Sequence, residues 1–187
     1  MSRASRLRSE GCRDGAEVTV NHDAERIIIG ALRRYLADAE ATLRAGAALG
    51  PLCGGMVVTL SGELGSGKTT FVRGMLRALG WTGPVKSPSF ALVEDYRFSS
   101  LYFYHFDFYR LDAEKTASEA WDSLGLAEYF RPGAVAVIEW PERASARLPP
   151  VDVAVFLDHA EPGRMLELRA HTMAGDACLH HLAAAIR

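Results

Sequence analysis

The chain has 187 residues, of which 49% are hydrophobic and 24% are charged, and its formal net charge at pH 7 is −2. This length suits one domain with a buried core. The slightly acidic balance disfavours a broad basic surface for nucleic acid, and the sequence has no apolar run long enough to cross a bilayer. The three cysteines are widely spaced and form no CxxC pair, which favours reduced thiols in a cytoplasmic protein without membrane contact.

The first part of the chain carries few signs of a packed structure. Residues 1–15 contain four arginines among Ser, Gly and Ala and show no apolar periodicity, which predicts a disordered tail. Residues 23–49 are rich in Ala, Leu, Arg and Ile. This composition predicts one or two helices before the first strand.

A phosphate-binding pattern follows. The stretch GELGSGKT at residues 62–69 matches G-x-x-x-x-G-K-[ST] at every fixed position. A buried strand is predicted over residues 56–60, and a helix with apolar residues at helical spacing is predicted after the loop. Strand, loop and helix therefore stand in the order that this pattern requires.

Each part of the loop has a defined task toward a nucleoside triphosphate with Mg²⁺. Glycine flexibility lets the backbone N–H groups of Gly65, Ser66 and Gly67 approach phosphate oxygens. The start of the following helix adds free donors and a positive dipole end. Lys68 supplies a charge between the β- and γ-phosphates, and Thr69 supplies a hydroxyl ligand for Mg²⁺.

Beyond this loop, short apolar runs alternate with helical segments. Two prolines keep residues 84–90 out of helix and leave an exposed loop. The other predicted elements are a hairpin over 91–97 and 101–108, a helical stretch over 111–130 interrupted near Gly125, a strand over 134–140, a second hairpin over 151–157 and 164–170, and a closing helix over 176–186. Together they predict an α/β, P-loop NTPase-like three-layer domain with a mixed parallel and antiparallel sheet flanked by helices.

Two carboxylates follow apolar strands. Asp107 ends one such run and Glu139 ends another. Ligands of open α/β sheets bind at the carboxyl ends of the strands. We therefore predict that Asp107 is a Mg²⁺ ligand and that Glu139 binds the metal through water or positions the attacking water. Trp140 follows Glu139 in the chain. Its side chain is suited to three roles, as a core residue, as a platform for the nucleotide or as part of a partner surface.

Three classes of P-loop protein compete for this chain. A guanine-nucleotide switch needs an N-K-x-D base reader, but the one asparagine, Asn21, precedes the loop. A small-molecule kinase needs an arginine-rich lid and an acceptor pocket. Neither is evident, although Arg143, Arg147 and Arg164 are candidates, and no arginine is evident against the γ-phosphate. A partner-dependent ATPase needs only the nucleotide site and a loop that reports its state, for which residues 86–89 are suited. The kinase stays open as the alternative.

Several motifs in series resemble the TsaE (YjeE) family, the small bacterial ATPases of tRNA threonylcarbamoyladenosine synthesis. They are GELGSGKTTF, VKSPSFALVEDY, YHFDFYRL, LGLAEYF, VAVIEWPER and LPPVDVAVFLDHAEPGR. The likeness begins near residue 36. It implies a P-loop ATPase domain over residues 36–187 and an extension, partly disordered or helical, over residues 1–35. Between residues 111 and 125 the chain is longer than the family's usual form.

The resemblance also assigns roles and partners. Asp107 and Glu139 would be the metal and hydrolysis acids. ATP hydrolysis would sustain turnover of the TsaD–TsaB pair, in which TsaD is the transferase, so that tRNA is met only through the complex. The implied nucleotide contacts are Lys68, Thr69, Thr70, Trp140, Glu142 and Arg164, and the implied switch loop is Lys86, Ser87, Pro88 and Ser89.

Overall fold

The structure is a computed structural model that describes residues 28–111, 121–144 and 147–185. The strands are β1 (Gly30–Leu36), β2 (Val57–Ser61), β3 (Val93–Arg97), β4 (Tyr102–Asp107), β5 (Val135–Glu139), β6 (Val153–Ala160) and β7 (Gly163–Ala170). The longer helices of the described residues are α1 (Ala39–Leu49), α2 (Lys68–Ala78) and α3 (Met173–Ala185). Short 3-10 turns lie at Gly50–Leu52, Leu126–Tyr129 and Pro141–Arg143.

The seven strands form one mixed sheet in the order β1-β7-β6-β2-β5-β4-β3. The centre is parallel, because β2 pairs in parallel with both β5 and β6, and β5 pairs in parallel with β4. The β3–β4 and β6–β7 hairpins are antiparallel, as the sequence predicts. The predicted α/β fold with a mixed sheet is thus confirmed.

The sheet is covered on both faces. On one face, buried residues of α2 such as Phe71 and Met75 pack in the same cluster as the β2 residues Val58 and Leu60. Helices α1 and α2 approach closely, since a Cβ added at Gly74 would lie 2.1 Å from a backbone oxygen of α1. On the other face a second cluster, rich in aromatic residues, is formed mainly by β4, β5 and the segments that follow residues 107 and 120. The loops at the carboxyl ends of the central strands therefore rest on a packed scaffold.

The predicted helix over residues 23–49 is wrong in its middle part, where residues 30–36 form strand β1. This strand pairs antiparallel with β7 along its whole length, from Gly30 opposite Ala170 to Leu36 opposite Arg164. Leu32 and Leu36 are buried in the core below it. A partner strand more than a hundred residues away thus overrides local helix preference. The sheet includes residues upstream of the predicted boundary at residue 36.

Helix α1 begins only after β1. The side chain of Asp38 caps it, accepting a 2.6 Å hydrogen bond from the backbone N–H of Ala41. The predicted tail over residues 1–15 and most of the inserted helical stretch lie outside the described residues. Within the described ranges, no helix is long and apolar enough to cross a membrane. Cys53 and Cys178 are buried free thiols, as predicted for those two.

Candidate nucleotide-binding site

The loop between β2 and α2 has the geometry that its glycines permit. Gly62, Gly65 and Gly67 have φ values of 143°, 80° and 105°, a region that other residues rarely adopt. A Cβ added at Gly62 would lie 2.3 Å from the carbonyl oxygen of Leu157 in β6. Helix α2 begins at Lys68, so that its unpaired first-turn N–H groups lie at the end of the loop. The predicted order of strand, loop and helix is confirmed.

Lys68 is almost fully buried, at 4% exposed. Its Nζ donates hydrogen bonds to the carbonyl oxygens of Gly62 (2.7 Å) and Glu63 (2.9 Å). Burial lowers the pKa of Lys68, and the carboxylates of Glu139 and Asp107 act in the opposite direction. The ammonium group is therefore held by the loop itself, beside two acids.

Those two acids lie on adjacent parallel strands. In the β4–β5 register Asp107 is opposite Glu139, and Leu60 of β2 is opposite Glu139 on the other side. Both carboxylates are buried, at 3% and 2% exposed. Thr69 Oγ1 donates a 2.9 Å hydrogen bond to Oε1 of Glu139. The acids predicted at the ends of two separate strands thus meet at the start of α2.

The proline-bounded loop reaches the same place. Ser87 Oγ donates a hydrogen bond to Oδ2 of Asp107, and the backbone N–H of Tyr109 donates one of 2.9 Å to Oδ1. Downstream the loop turns tightly, since the N–H of Leu92, which has φ of 64°, donates to the carbonyl oxygen of Pro88 at 2.7 Å. A segment without helix or strand is thereby fixed to the end of β4.

These elements surround a cavity of about 420 Å³, a size usual for small-ligand sites. It opens beside the P-loop at the carboxyl ends of β2, β4 and β5. Its lining residues are Leu64, Gly65, Gly67, Lys68, Thr69, Thr70, Ser87, Ser89, Asp107, Tyr109, Arg110, Glu139 and Trp140.

Comparison with known proteins decides the family. The family model described as "Threonylcarbamoyl adenosine biosynthesis protein TsaE" matches residues 36–166. The chain belongs to the TsaE family. Relatives named "tRNA threonylcarbamoyladenosine biosynthesis protein TsaE" include that of Haemophilus influenzae, 41% identical over 120 residues (64% of this chain, 73% of the relative). Another is that of a Nostoc species, 39% identical over 135 residues (69% and 79%).

A solved structure agrees with this family assignment. The crystal structure of YdiB from Bacillus subtilis has a TM-score of 0.71 and 26% sequence identity to this chain. The superposition covers 84% of this chain and 97% of YdiB. The architecture described above is therefore shared with a protein of known structure.

Most of the residues that the TsaE resemblance predicts lie on the cavity wall. The exceptions are Ser66, Lys86, Pro88, Glu142 and Arg164. Ser66 is fully buried in the loop, and Glu142 is exposed in the 3-10 turn after Trp140. A nucleotide contact by these side chains stays a prediction.

Arg164 lies behind the P-loop. Its Nη1 donates a 2.7 Å hydrogen bond to Thr42 Oγ1 and lies 3.1 Å from the place a Cβ would take at Gly67. Its Nε is buried without a hydrogen-bond partner among the described residues. In this structure Arg164 supports the loop from the side of α1.

Trp140 is half-buried, packing against the aromatic cluster on one side and lining the cavity on the other. Its ring centre is 4.1 Å from Nζ of Lys68 and 5.1 Å from the ring centre of Tyr109. Trp140 has φ of 59°, a left-handed conformation uncommon for a large side chain. Of the three open interpretations of this residue, its position favours contact with whatever occupies the cavity.

Sequence reasoning missed several residues of this site, among them Arg110 and His105. Arg110 lines the cavity, with its guanidinium carbon 4.1 Å from the ring centre of Phe90. The expectation that no arginine lies against the γ-phosphate stays a prediction. His105 is fully buried with Nε2 2.9 Å from Oε1 of Glu139. The signal for His105 was a polar residue two positions before Asp107, on the same face of β4.

The oxygens at this end of the sheet fit Mg²⁺. Mg²⁺ in phosphate sites takes one or two carboxylates and a hydroxyl, together with phosphate oxygens and water. Thr69, Asp107 and Glu139 are hard oxygen donors that lie together on the cavity wall. The described residues hold no cluster of three or more His, Cys, Asp or Glu side chains that would form an all-protein metal site. Two carboxylates and one hydroxyl are the part of a Mg²⁺ coordination sphere that a protein commonly supplies in phosphate sites.

Proposed function

We propose that this chain is a Mg²⁺-dependent ATPase of the cytoplasm that binds the TsaD–TsaB pair and sustains its modification of tRNA to threonylcarbamoyladenosine. The observation that carries the proposal is the hydrogen bond between Thr69 of the P-loop helix and the buried acid Glu139. It joins the two halves of a phosphoryl-transfer site, the phosphate cradle and the acid.

The P-loop binds the phosphates of ATP. Backbone N–H groups from Gly65 to Gly67 and at the start of α2 donate hydrogen bonds to the phosphate oxygens. Lys68 leaves its carbonyl partners in the loop and pairs with the β- and γ-phosphate oxygens. Thr70, on the cavity wall, adds a further donor. Positioning and charge are the main contributions that a protein makes to this reaction.

The acids act on metal and water. Thr69 and Asp107 would hold Mg²⁺, which when bound would supply charge neutralisation at the phosphate oxygens. Glu139 would orient the attacking water. Because the Thr69 hydroxyl donates its hydrogen bond to Glu139, the lone pairs of its oxygen would stay available to a metal. Burial of both acids keeps their electrostatic effect strong.

The partner acts through the switch loop of residues 86–89. Ser87 holds Asp107, so a movement of this loop changes the surroundings of a metal ligand. Phe90, directly after the loop, is 84% exposed and lies against the guanidinium of Arg110, so a partner can reach this end of the loop. TsaD–TsaB shifts this loop into its active position and thereby raises the rate of hydrolysis. The chain does not itself transfer the threonylcarbamoyl group, and it meets tRNA only through the complex.

The test is to mix the purified chain with TsaB and TsaD and to follow both ATP hydrolysis and tRNA modification. We expect slow hydrolysis by the isolated chain, marked stimulation by the pair and repeated rounds of modification only when ATP is hydrolysed. Efficient phosphorylation of a small-molecule acceptor, without a response to TsaD–TsaB, would instead favour the kinase.

A further inference from the structure

His105 occupies a position that is otherwise part of the core. It lies in β4 between Phe103 and Asp107, in the row of side chains that faces α2, and in the sheet it is opposite Val137. It is 0% exposed. An apolar residue at this position would bury more favourably, since an imidazole brings two polar atoms that need partners. The position therefore raises the question of what the ring does.

A buried histidine most often serves only packing, with its nitrogens bonded to backbone carbonyls. Here the partner is a carboxylate of the site. Nε2 lies 2.9 Å from Oε1 of Glu139, and the same oxygen accepts the 2.9 Å bond from Thr69 Oγ1. Both bonds end on Oε1, and neither occupies Oε2. The carboxylate is thus fixed by one of its two oxygens.

The direction of the bond follows from the chemistry of the pair. An ionised carboxylate only accepts hydrogen bonds, so Nε2 must carry the proton. Nδ1 is buried without a hydrogen-bond partner among the described residues. A proton on Nδ1 alone would leave that N–H unsatisfied and would turn a lone pair of Nε2 toward the carboxylate, which is the costlier arrangement. His105 is therefore the donor.

We propose that His105 is the positioning residue of Glu139. By donating from Nε2 to Oε1, it fixes the carboxylate together with Thr69 and presents Oε2 toward the cavity, where Glu139 orients water. This rests on the proposed ATPase function. His105 itself touches neither nucleotide nor metal in this account, so its loss slows turnover and leaves nucleotide affinity unchanged.

Three substitutions of His105 test the hydrogen bond from its Nε2 to Glu139. In His105→Gln the side-chain amide nitrogen can reach the place of Nε2, whereas in His105→Asn it reaches only the place of Nδ1. His105→Leu removes both ring nitrogens, including the donor, and fills the space. We expect kcat for ATP, with TsaD–TsaB present, to fall by about 10-fold or more in His105→Leu, as for other residues that orient a site group. His105→Gln should retain most of the kcat of the unmodified chain, and His105→Asn should not. In all three variants the ATP affinity should stay within about 2-fold of that of the unmodified chain.

Thermal melting of all three variants separates this role from packing. If His105→Leu fails to fold, the comparison of glutamine with asparagine still decides, because both introduce the same amide. A His105→Leu variant with the turnover of the unmodified chain would overturn the proposal, and so would equal rescue by asparagine and glutamine.

A second measurement does not depend on hydrolysis. In the ¹⁵N-labelled full chain without nucleotide, the ring signals of His105 should show a proton on Nε2, and Glu139→Gln should shift the Nε2 signal. A ring protonated on Nδ1 alone would overturn the inference. If the unmodified chain hydrolyses no ATP with or without TsaD–TsaB, the proposed function fails, while the ring signals still decide whether His105 donates to Glu139.

Discussion

The hydroxyl of Ser87 donates a hydrogen bond to Oδ2 of Asp107 and so ties the proline-bounded loop to the acid at the end of β4. The two residues are 20 positions apart in the chain. The other carboxylate oxygen of Asp107 accepts from the backbone N–H of Tyr109, which leaves the acid held from both sides. The position of the loop and the position of Asp107, the proposed metal ligand, are therefore coupled.

This coupling predicts the effect of removing the loop hydroxyls. Ser87→Ala or Ser89→Ala should reduce the stimulation of ATP hydrolysis by TsaD–TsaB more than it reduces ATP binding, because the loop acts on the acid and not on the phosphates. Stimulated rates and nucleotide titrations measure the two effects. Ser100→Ala, in the exposed turn between β3 and β4, is the matched control. Equal losses of binding and stimulation would show that the loop merely forms the pocket.

Lys68→Ala should weaken ATP hydrolysis roughly 100-fold or more, because it removes the charge that faces the β- and γ-phosphates. Steady-state hydrolysis with saturating TsaD–TsaB measures this loss. Arg44→Ala removes a cation that is 65% exposed on α1 and should change little. Undiminished turnover in Lys68→Ala would mean that the phosphates bind elsewhere.

Glu139→Ala should keep substantial ATP binding and lose hydrolysis, since the proposed task of this acid is toward water and metal. Glu139→Gln keeps the shape and an acceptor for Thr69, so it separates the charge from the packing of this buried side chain. Calorimetric titration with ATP and single-turnover hydrolysis give the two quantities. Normal hydrolysis in both variants would make Glu139 a structural residue.

Asp107→Asn should raise the Mg²⁺ concentration needed for half-maximal hydrolysis, because an amide oxygen is a weaker ligand than a carboxylate oxygen. A Mg²⁺ titration of the rate at fixed ATP measures the change. Asp95→Asn, on the exposed edge strand β3, controls for the loss of one negative charge. An unchanged Mg²⁺ dependence in Asp107→Asn would remove this acid from the metal site.

Deletion of residues 1–15 should leave folding and ATP hydrolysis intact, because this stretch has no apolar periodicity with which to pack. Deletion of residues 1–36 is the contrasting variant. It removes β1 and the buried Leu32 and Leu36. At about 1.5–3 kcal/mol for each leucine, the melting temperature should fall by roughly 10 °C. A similar fall in the shorter deletion would mean that the tail packs on the domain.

The sequence by itself was enough to predict the phosphate loop, both hairpins and the positions of two acids at the ends of strands. These follow from local rules. The loop needs glycines at fixed spacing, and an acid directly after an apolar run lies at the end of a strand. Because parallel strands of one sheet end on the same side, the chain pattern alone is enough to place Asp107 and Glu139 near the loop.

Only the tertiary structure showed that residues 30–36 form β1. It also decided which partners Arg110, His105 and Arg164 contact. Strand β1 forms because a distant strand pairs with it, and its composition favours a helix when read alone. Arg110 and His105 lie in the same short segment as Asp107, but contact with Phe90 and with Glu139 depends on how three separate segments meet. A pattern along the chain specifies the facing direction of a side chain, whereas its partner is specified by the packing of elements far apart in sequence.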